Sequence, residues 1–344
     1  MEFVWSIKEN IMRLIRTGYQ VVLSWLRWRY VKLLTRNLDQ TQQPTIDDLR
    51  VIYKSDNFIV VNKQSYVKIN SDSPSDRITV ATQIAKKFPE CVDATKMHGF
   101  SFVHRLDYST SGLLCVALTQ KSSRWGHNAF QKKYVTKHYL ALVRGFLKDE
   151  VVHVDAGIGD DTSVLDIHKM CTEDSPNCSK PRPSQTTVYL MQRGLYDKEP
   201  VSKVLLVPHT GRTHQLRVHC AHIGHKIVGD YAYSDRTDIY PSRMMLHAYH
   251  LIIPMKREHI DCVTPDPFTE KEDSKLQLTE TIATYQELLE KHKLIRDQDL
   301  NVPCGVKDLP PIVPKKKKKH KNSSTEISDP GFRRTEEQIC SGTT

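Results

Sequence analysis

The chain has 344 residues, enough for one large domain of about 200–250 residues with tails, or for two small ones. Hydrophobic content of 39% and a mean hydropathy of −0.49 place it with soluble chains that carry polar extensions, and no uncharged apolar run reaches the roughly 18 residues that a membrane-spanning helix needs. A net charge of +10 and a pI of about 9.1 favour polyanionic partners through counterion release, without separating RNA from DNA or from a membrane surface.

Residues 1–45 are aromatic and basic. Val4, Ile7, Ile11, Leu14, Gly18, Val21, Trp25 and Trp28 recur at spacings of three and four, the period of an amphipathic helix. That helix fits a mitochondrial presequence, a membrane-surface helix, a helix docked on the core, or a plain structural extension. Charges interrupt every apolar stretch here, so it is not read as a secretory signal.

Residues 46–294 read as the globular domain. Val51–Tyr53 and Phe58–Asn62 form two short strands around the turn Lys54–Asn57. Thr79–Phe88 is a helix with Val80, Ile84 and Phe88 on one face and Pro89 beyond its end. Leu113–Leu118, Tyr139–Val143, Thr186–Leu190 and Val204–Val207 are apolar, β-prone runs and read as buried strands. Val164–Pro183, with Pro176, Pro181 and Pro183, reads as a long surface loop. Ser274–Leu294 reads as a closing helix with Leu278, Ile282, Tyr285 and Leu289 on one side. Residues 295–344 form a disordered tail in which Pro310, Pro311 and Pro314 precede the basic run Lys315–Lys321. That run fits a nuclear localisation signal, a nonspecific RNA contact or a solubilising tail. The eight cysteines include no CxxC pair, so they read as reduced thiols in an intracellular compartment. The compartment expected is nucleus or cytoplasm from the lysine run, with the mitochondrion open from the N-terminal helix.

Two segments carry chemistry. The first is His104-Arg105-Leu106-Asp107-Tyr108-Ser109-Thr110-Ser111-Gly112, a single carboxylate between a basic residue and a small-residue turn. The second, about a hundred residues on, is Gly211-Arg212-Thr213-His214-Gln215-Leu216-Arg217-Val218-His219. It reads as a turn and then a helix, with Leu216, Cys220 and Ile223 apolar and Gly224 as the stop. A buried Asp107 needs a cation to stay ionised, since burial alone disfavours its charge. His214, His219, Cys220, His222 and His225 crowd this helix, but zinc sites usually draw ligands from two segments or use an HExxH carboxylate, so no metal is expected. No phosphate-binding loop, dinucleotide glycine pattern or GxSxG elbow occurs, and no cofactor is expected.

Together the two segments resemble the signature of the RluA-type pseudouridine synthases, among them the eukaryotic RNA pseudouridylate synthase domain-containing proteins. The resemblance spans about residues 50–255. It implies an α+β fold with a mixed, largely antiparallel central sheet, split into two subdomains around a catalytic cleft. It implies an isomerase that converts uridine to pseudouridine in structured RNA, with Asp107 as nucleophile and Arg217 as the arginine that pairs with it. Such a reaction breaks the C1′–N1 bond, turns the base and rejoins it through C5, and the base must first leave its stack at a cost of a few kcal/mol. By the same resemblance Tyr139, in Lys137–Gly145, stacks on the flipped base and is a candidate for the C5 proton. Arg105 fills the space that the base leaves, and Leu246, in Arg243–Ala248, packs against the uracil. His104 and Arg212 join Arg105 and Leu246 as substrate-binding residues. The partner expected is tRNA, rRNA or mRNA, bound by a monomer.

Two departures stand out. Where the family usually runs Asn-Lys-Pro-x-Gly, this chain has Asn62-Lys63-Gln64-Ser65-Tyr66. The 45 N-terminal residues are too few and too apolar for the small RNA-binding domain of many bacterial relatives, so target choice falls to the core, the 164–183 segment or the basic tails. The rival readings are an RNA-binding or RNA-folding protein without turnover, and a tethered scaffold using residues 1–45.

Overall fold

A computed structural model describes residues 44–163 and 168–295. The expectations for residues 1–43 and for the tail beyond 295 lie outside the described residues.

Apolar runs without alternation become strands covered on both faces. Strand β1 (Arg50–Lys54) pairs antiparallel with β2 (Phe58–Lys63). The short β3 (Ser101–Phe102) and β2 both pair antiparallel with β4 (Ser111–Ala117), every residue of which is buried. Leu113, Cys115 and Ala117 pack toward Ala129 of helix α2 (Gln120–Gln131). Leu114 and Val116 face the other way, toward Val80 and Ile84 of helix α1 (Val80–Lys87). Helix α1 starts where Thr79 caps it through a reciprocal box with Thr82. Each fully buried Val, Leu or Ile contributes roughly 1.5–3 kcal/mol.

The second half of the sheet is built from β5 (Thr136–Arg144), β6 (Val151–Asp155), β10 (Gln185–Tyr196), β11 (Glu199–Pro208), β12 (Leu246–Met255), β13 (Glu258–Val263) and β14 (Leu276–Thr281). Its main path runs β1-β2-β4-β12-β5-β11-β10-β14. All of these pairings are antiparallel except β4 with β12, a parallel contact only two residues long, His247 with Ser111 and Ala248 with Gly112. Beyond that contact β12 turns to β13 instead. The sheet is therefore joined at a narrow seam between two halves, as the expected two-subdomain α+β architecture requires.

Gly112 makes the seam possible. Its φ is +112°, and a Cβ there would lie 2.3 Å from the carbonyl oxygen of Ala248. Only glycine tolerates both the conformation and the approach.

Two expectations are corrected. The 164–183 segment is not simply a loop. It carries β8 (Met170–Thr172) and β9 (Cys178–Arg182), which flank β7 (Ile158–Asp161) in a separate three-stranded sheet. Pro181 sits in β9, an edge strand, where a missing N–H costs no ladder bond. Ser274–Leu294 is not one helix either. Leu276 and Leu278 belong to β14, and helix α4 spans only Tyr285–His292. The helix begins at Thr284, whose hydroxyl accepts from the Glu287 N–H while the Glu287 carboxylate accepts from the Thr284 N–H. That capping box is a start signal placed after, not before, Leu278 and Ile282.

Buried imidazoles tie the sheet together. His247 bridges Ser111 Oγ and Thr264 Oγ1, each at 2.6 Å, and His138 Nδ1 meets the Tyr285 hydroxyl at 2.8 Å. Burial, with Arg243 beside His247 and His250 beside His138, holds both rings down at about 3. The unfolded chain takes up protons on these rings below about pH 6.5, whereas the folded chain does not until about pH 3, so stability falls across that window. Urea unfolding at pH 7.5 and pH 5 is expected to show a loss of a few kcal/mol at the lower pH. An unchanged unfolding free energy would contradict it.

Candidate active site

The loop between β3 and β4 buries every third side chain at its start. Val103 and Leu106 are buried, while Arg105 is exposed and Asp107 sits part-way out. The Thr110 N–H donates to the Asp107 carbonyl at 3.2 Å and closes the turn before β4. β12 then sets the remaining groups beside it. Leu246 is opposite Ala141 and Ala248 is opposite Tyr139 on β5, while His247 and Ala248 face the start of β4. One strand therefore brings Leu246, Tyr139 and the Asp107 loop to the seam.

Helix α3 (Gln215–His222) supplies the cation. Buried Gln215 locks its start. Its Oε1 accepts from the Arg212 N–H at 2.9 Å and the Thr210 hydroxyl at 2.8 Å, and its amide donates to Gln185 O and Thr186 Oγ1, both at 2.9 Å. Leu216 and Cys220 pack with Val143 and Leu246, whereas Val218 packs with Tyr233 and Met170 on another side. The helix is thus buried on more than one face, and Gly224 follows it at φ +82°.

Arg217 Nη1 donates to Asp107 Oδ2 at 3.4 Å. Its stronger bond is to Asp230, with Nε to Oδ2 and Nη2 to Oδ1 both at 2.7 Å. Burial works against the guanidinium charge, but Asp230 and then Asp107 outweigh it and raise its pKa further. Asp230 is itself fixed, since its Oδ1 also accepts from the Ala232 and Tyr233 N–H groups. The Tyr233 ring lies 5.0 Å from the guanidinium. Asp107 therefore faces a cation that a second carboxylate holds still.

The surrounding cavity has a volume of about 700 Å³, and its walls include Tyr139, Leu246, Arg105, Arg212 and His104. Burial, then the Asp107 charge, pushes the Tyr139 phenol well above its usual value, so it stays protonated at neutral pH. Leu246 is 3% exposed. Arg212 Nε donates to Pro183 O at 3.1 Å. His104 Nε2 accepts from the Cys115 N–H at 2.9 Å, and its ring stacks on Phe130. These contacts tie His104 into the fold at the edge of the cavity. Arg105, Lys133, Lys137, Arg212, Arg217 and Lys293 line the walls, and Asp107 is the one carboxylate among the described lining residues.

Sequence reasoning missed Asp230, and gave no role to Lys133, Lys137 or, beyond the question of a metal, His214. The Lys137 ammonium donates to Thr210 O at 3.3 Å across the cavity. Of the clustered histidines, His219 has both ring nitrogens engaged, with Thr186 Oγ1 at 2.9 Å and Ala156 O at 3.0 Å. Among the described residues no group of three or more His, Cys, Asp or Glu is set to hold a metal. The variant segment at 62–66 keeps an ordered path. Lys63 is buried, donates to the carbonyls of Gln64, Val67 and Tyr108, and is pushed down to about 7 by burial and then by Arg243. Tyr66, at the position usually held by glycine, still adopts φ +62°, and its hydroxyl accepts from the Met244 N–H at 3.1 Å.

The mixed, largely antiparallel sheet is the fold of the pseudouridine synthases, which are isomerases, and a family model described as RNA pseudouridylate synthase matches residues 57–222. The chain is 47% identical over 245 residues to RNA pseudouridylate synthase domain-containing protein 1 of Danio rerio, spanning 71% of this chain and 84% of that one. It is 32% identical to the dual-specificity RNA pseudouridine synthase RluA of Escherichia coli strain K12, spanning 63% and 90%. The solved structure of human RNA Pseudouridylate Synthase Domain Containing 1 is similar with a TM-score of 0.66 at 39% identity, over 74% of this chain and 98% of that one. The chain belongs to the RNA pseudouridylate synthase family.

Proposed function

We propose that this protein isomerises a specific uridine in structured RNA to pseudouridine, with Asp107 as nucleophile and without a cofactor. The observation that carries the reading is a single carboxylate, Asp107, in a cavity whose other charged walls are Lys and Arg, with Arg217 on its Oδ2. The cationic walls suit an RNA backbone, and the carboxylate suits attack on, or stabilisation of, an electron-poor sugar or base. The reaction balances within one nucleotide. C1′–N1 breaks and C1′–C5 forms, while a proton leaves C5 and N1 gains one. No net electrons or groups enter.

The roles are those that the family resemblance implies, and the positions of the residues around the cavity support them. Asp107 attacks while Arg217, on its Oδ2, holds the carboxylate in place. Tyr139 offers a ring against the flipped uracil and a protonated hydroxyl, so it acts first as a stacking and donor group. Leu246 gives apolar contact on the opposite strand. Arg105, exposed beside Asp107, enters the space left by the base. RNA from cells lacking the protein, incubated with the purified wild-type chain and mapped chemically for pseudouridine, should regain discrete sites. RNA that binds but gains no pseudouridine would instead favour a binding protein without turnover.

A further inference from the structure

Helix α3 starts in an unusual way. The residue before it is His214, with φ +53° and ψ +17°, and no side chain caps the helix. Helix starts favour Ser, Thr, Asp or Asn in extended backbone, and a left-handed non-glycine residue costs on the order of 1 kcal/mol. The strained backbone aims the imidazole into the cavity. Its Nε2 lies 3.8 Å from Asp107 Oδ2, and its Nδ1 lies 3.2 Å from the Tyr233 hydroxyl.

The hydroxyl sets the tautomer. Tyr233 is buried, and its oxygen already accepts from the Met170 N–H at 2.9 Å. A phenol has one proton to give, and His214 Nδ1 is the acceptor it meets. Nδ1 then holds the lone pair and Nε2 holds the hydrogen, which points at Asp107. The opposite tautomer would aim a lone pair at the carboxylate and strand the phenol proton. Burial first, and Arg217 second, push the imidazole down to about 4 against the opposing pull of Asp107 and Asp230, with the His168 ring also nearby. The contact with Asp107 is therefore a neutral N–H facing a carboxylate, not an ion pair.

Arg217 and His214 both face Oδ2, and Asp107 Oδ1 accepts no hydrogen bond among the described residues. We propose that His214 is a positioning residue for Asp107, set by Tyr233 as the Nε2–H tautomer, so that His214 and Arg217 together hold Oδ2 and leave Oδ1 free to attack. The proposal rests on the reading of Asp107 as nucleophile. At 3.8 Å the His214 contact is open, and closing it by about 1 Å with RNA bound would complete the hydrogen bond.

The test uses the full chain and an RNA containing a uridine that the wild type converts. His214→Leu is expected to lower kcat about 10- to 100-fold with KM within about twofold, as for loss of one preorganised donor. His214→Gln, whose amide nitrogen can reach the place of Nε2, should recover most of that loss. Tyr233→Phe, which frees the tautomer, should also lower kcat. Wild-type kcat in His214→Leu or in Tyr233→Phe, or equal losses in His214→Leu and His214→Gln, would overturn the proposal. If the wild type itself forms no pseudouridine on any RNA, the functional reading fails instead, and the two failures are thereby distinguished.

Discussion

Replacing Asp107 by asparagine is expected to abolish pseudouridine formation, with a fall of roughly a thousandfold or more in the single-turnover rate. Asparagine keeps the shape and loses the charge, so the fold should persist. RNA affinity should hold or tighten, because the change removes the one carboxylate from a lining whose other charged groups are Lys and Arg. Rate and affinity are read separately, from product formation at saturating enzyme and from titration of labelled RNA. Turnover near the wild-type rate would remove Asp107 from the role of nucleophile. A large loss of affinity would mean that the variant had disturbed the cavity rather than the chemistry.

Replacing Asp230 by alanine should damage stability most. Its carboxylate is fully buried and makes both short bonds to Arg217. Removing it leaves a guanidinium inside the protein with only Asp107 as anion, a loss expected to cost about 3–5 kcal/mol. The orphaned Arg217 would also close on Asp107 and engage the carboxylate that must attack, so activity should drop even where the variant folds. Denaturant unfolding of Asp230→Ala reads the first effect. Asp230→Ala combined with Arg217→Met should recover much of the stability, because no unpaired buried charge remains, and none of the activity. If Asp230→Ala unfolds within about 1 kcal/mol of the wild type, the clamp does not stabilise the fold.

How much was legible in the chain depended on how local each signal was. Leu113–Leu118 and Phe58–Asn62 showed themselves because strands buried on both faces leave unbroken apolar runs. The Asp107 and Arg217 segments were legible as two contiguous motifs, and the structure brings them within 3.4 Å. Asp230 was not. It lies 13 residues from Arg217 in a turn whose local purpose hides its long-range one. The β14–α4 boundary was misread because Leu278, Ile282, Tyr285 and Leu289 happen to fit helical spacing, while Leu276 and Leu278 are paired to β10. The pairing partner of an edge strand is not written in its own residues. The three-stranded sheet at β7–β9 was hidden for a related reason, since proline in an edge strand looks like a loop.

The seam at Gly112 carries a further consequence for selectivity. With the Ala248 carbonyl where any Cβ would have to go, the two halves of the sheet have little slack at the point where Asp107, Tyr139 and Leu246 meet. On the proposed reading, a backbone anchored in this way leaves room for side-chain closure such as that of His214 but little for the strands to shift, so most of the mechanical work of recognition falls to the nucleic acid. On that reading, uridines in loops, bulges and weakly stacked steps should reach Asp107 at lower energetic cost than those inside stable helices. Discrimination among sites would thus follow the local compliance of the RNA as much as the bases around the uridine.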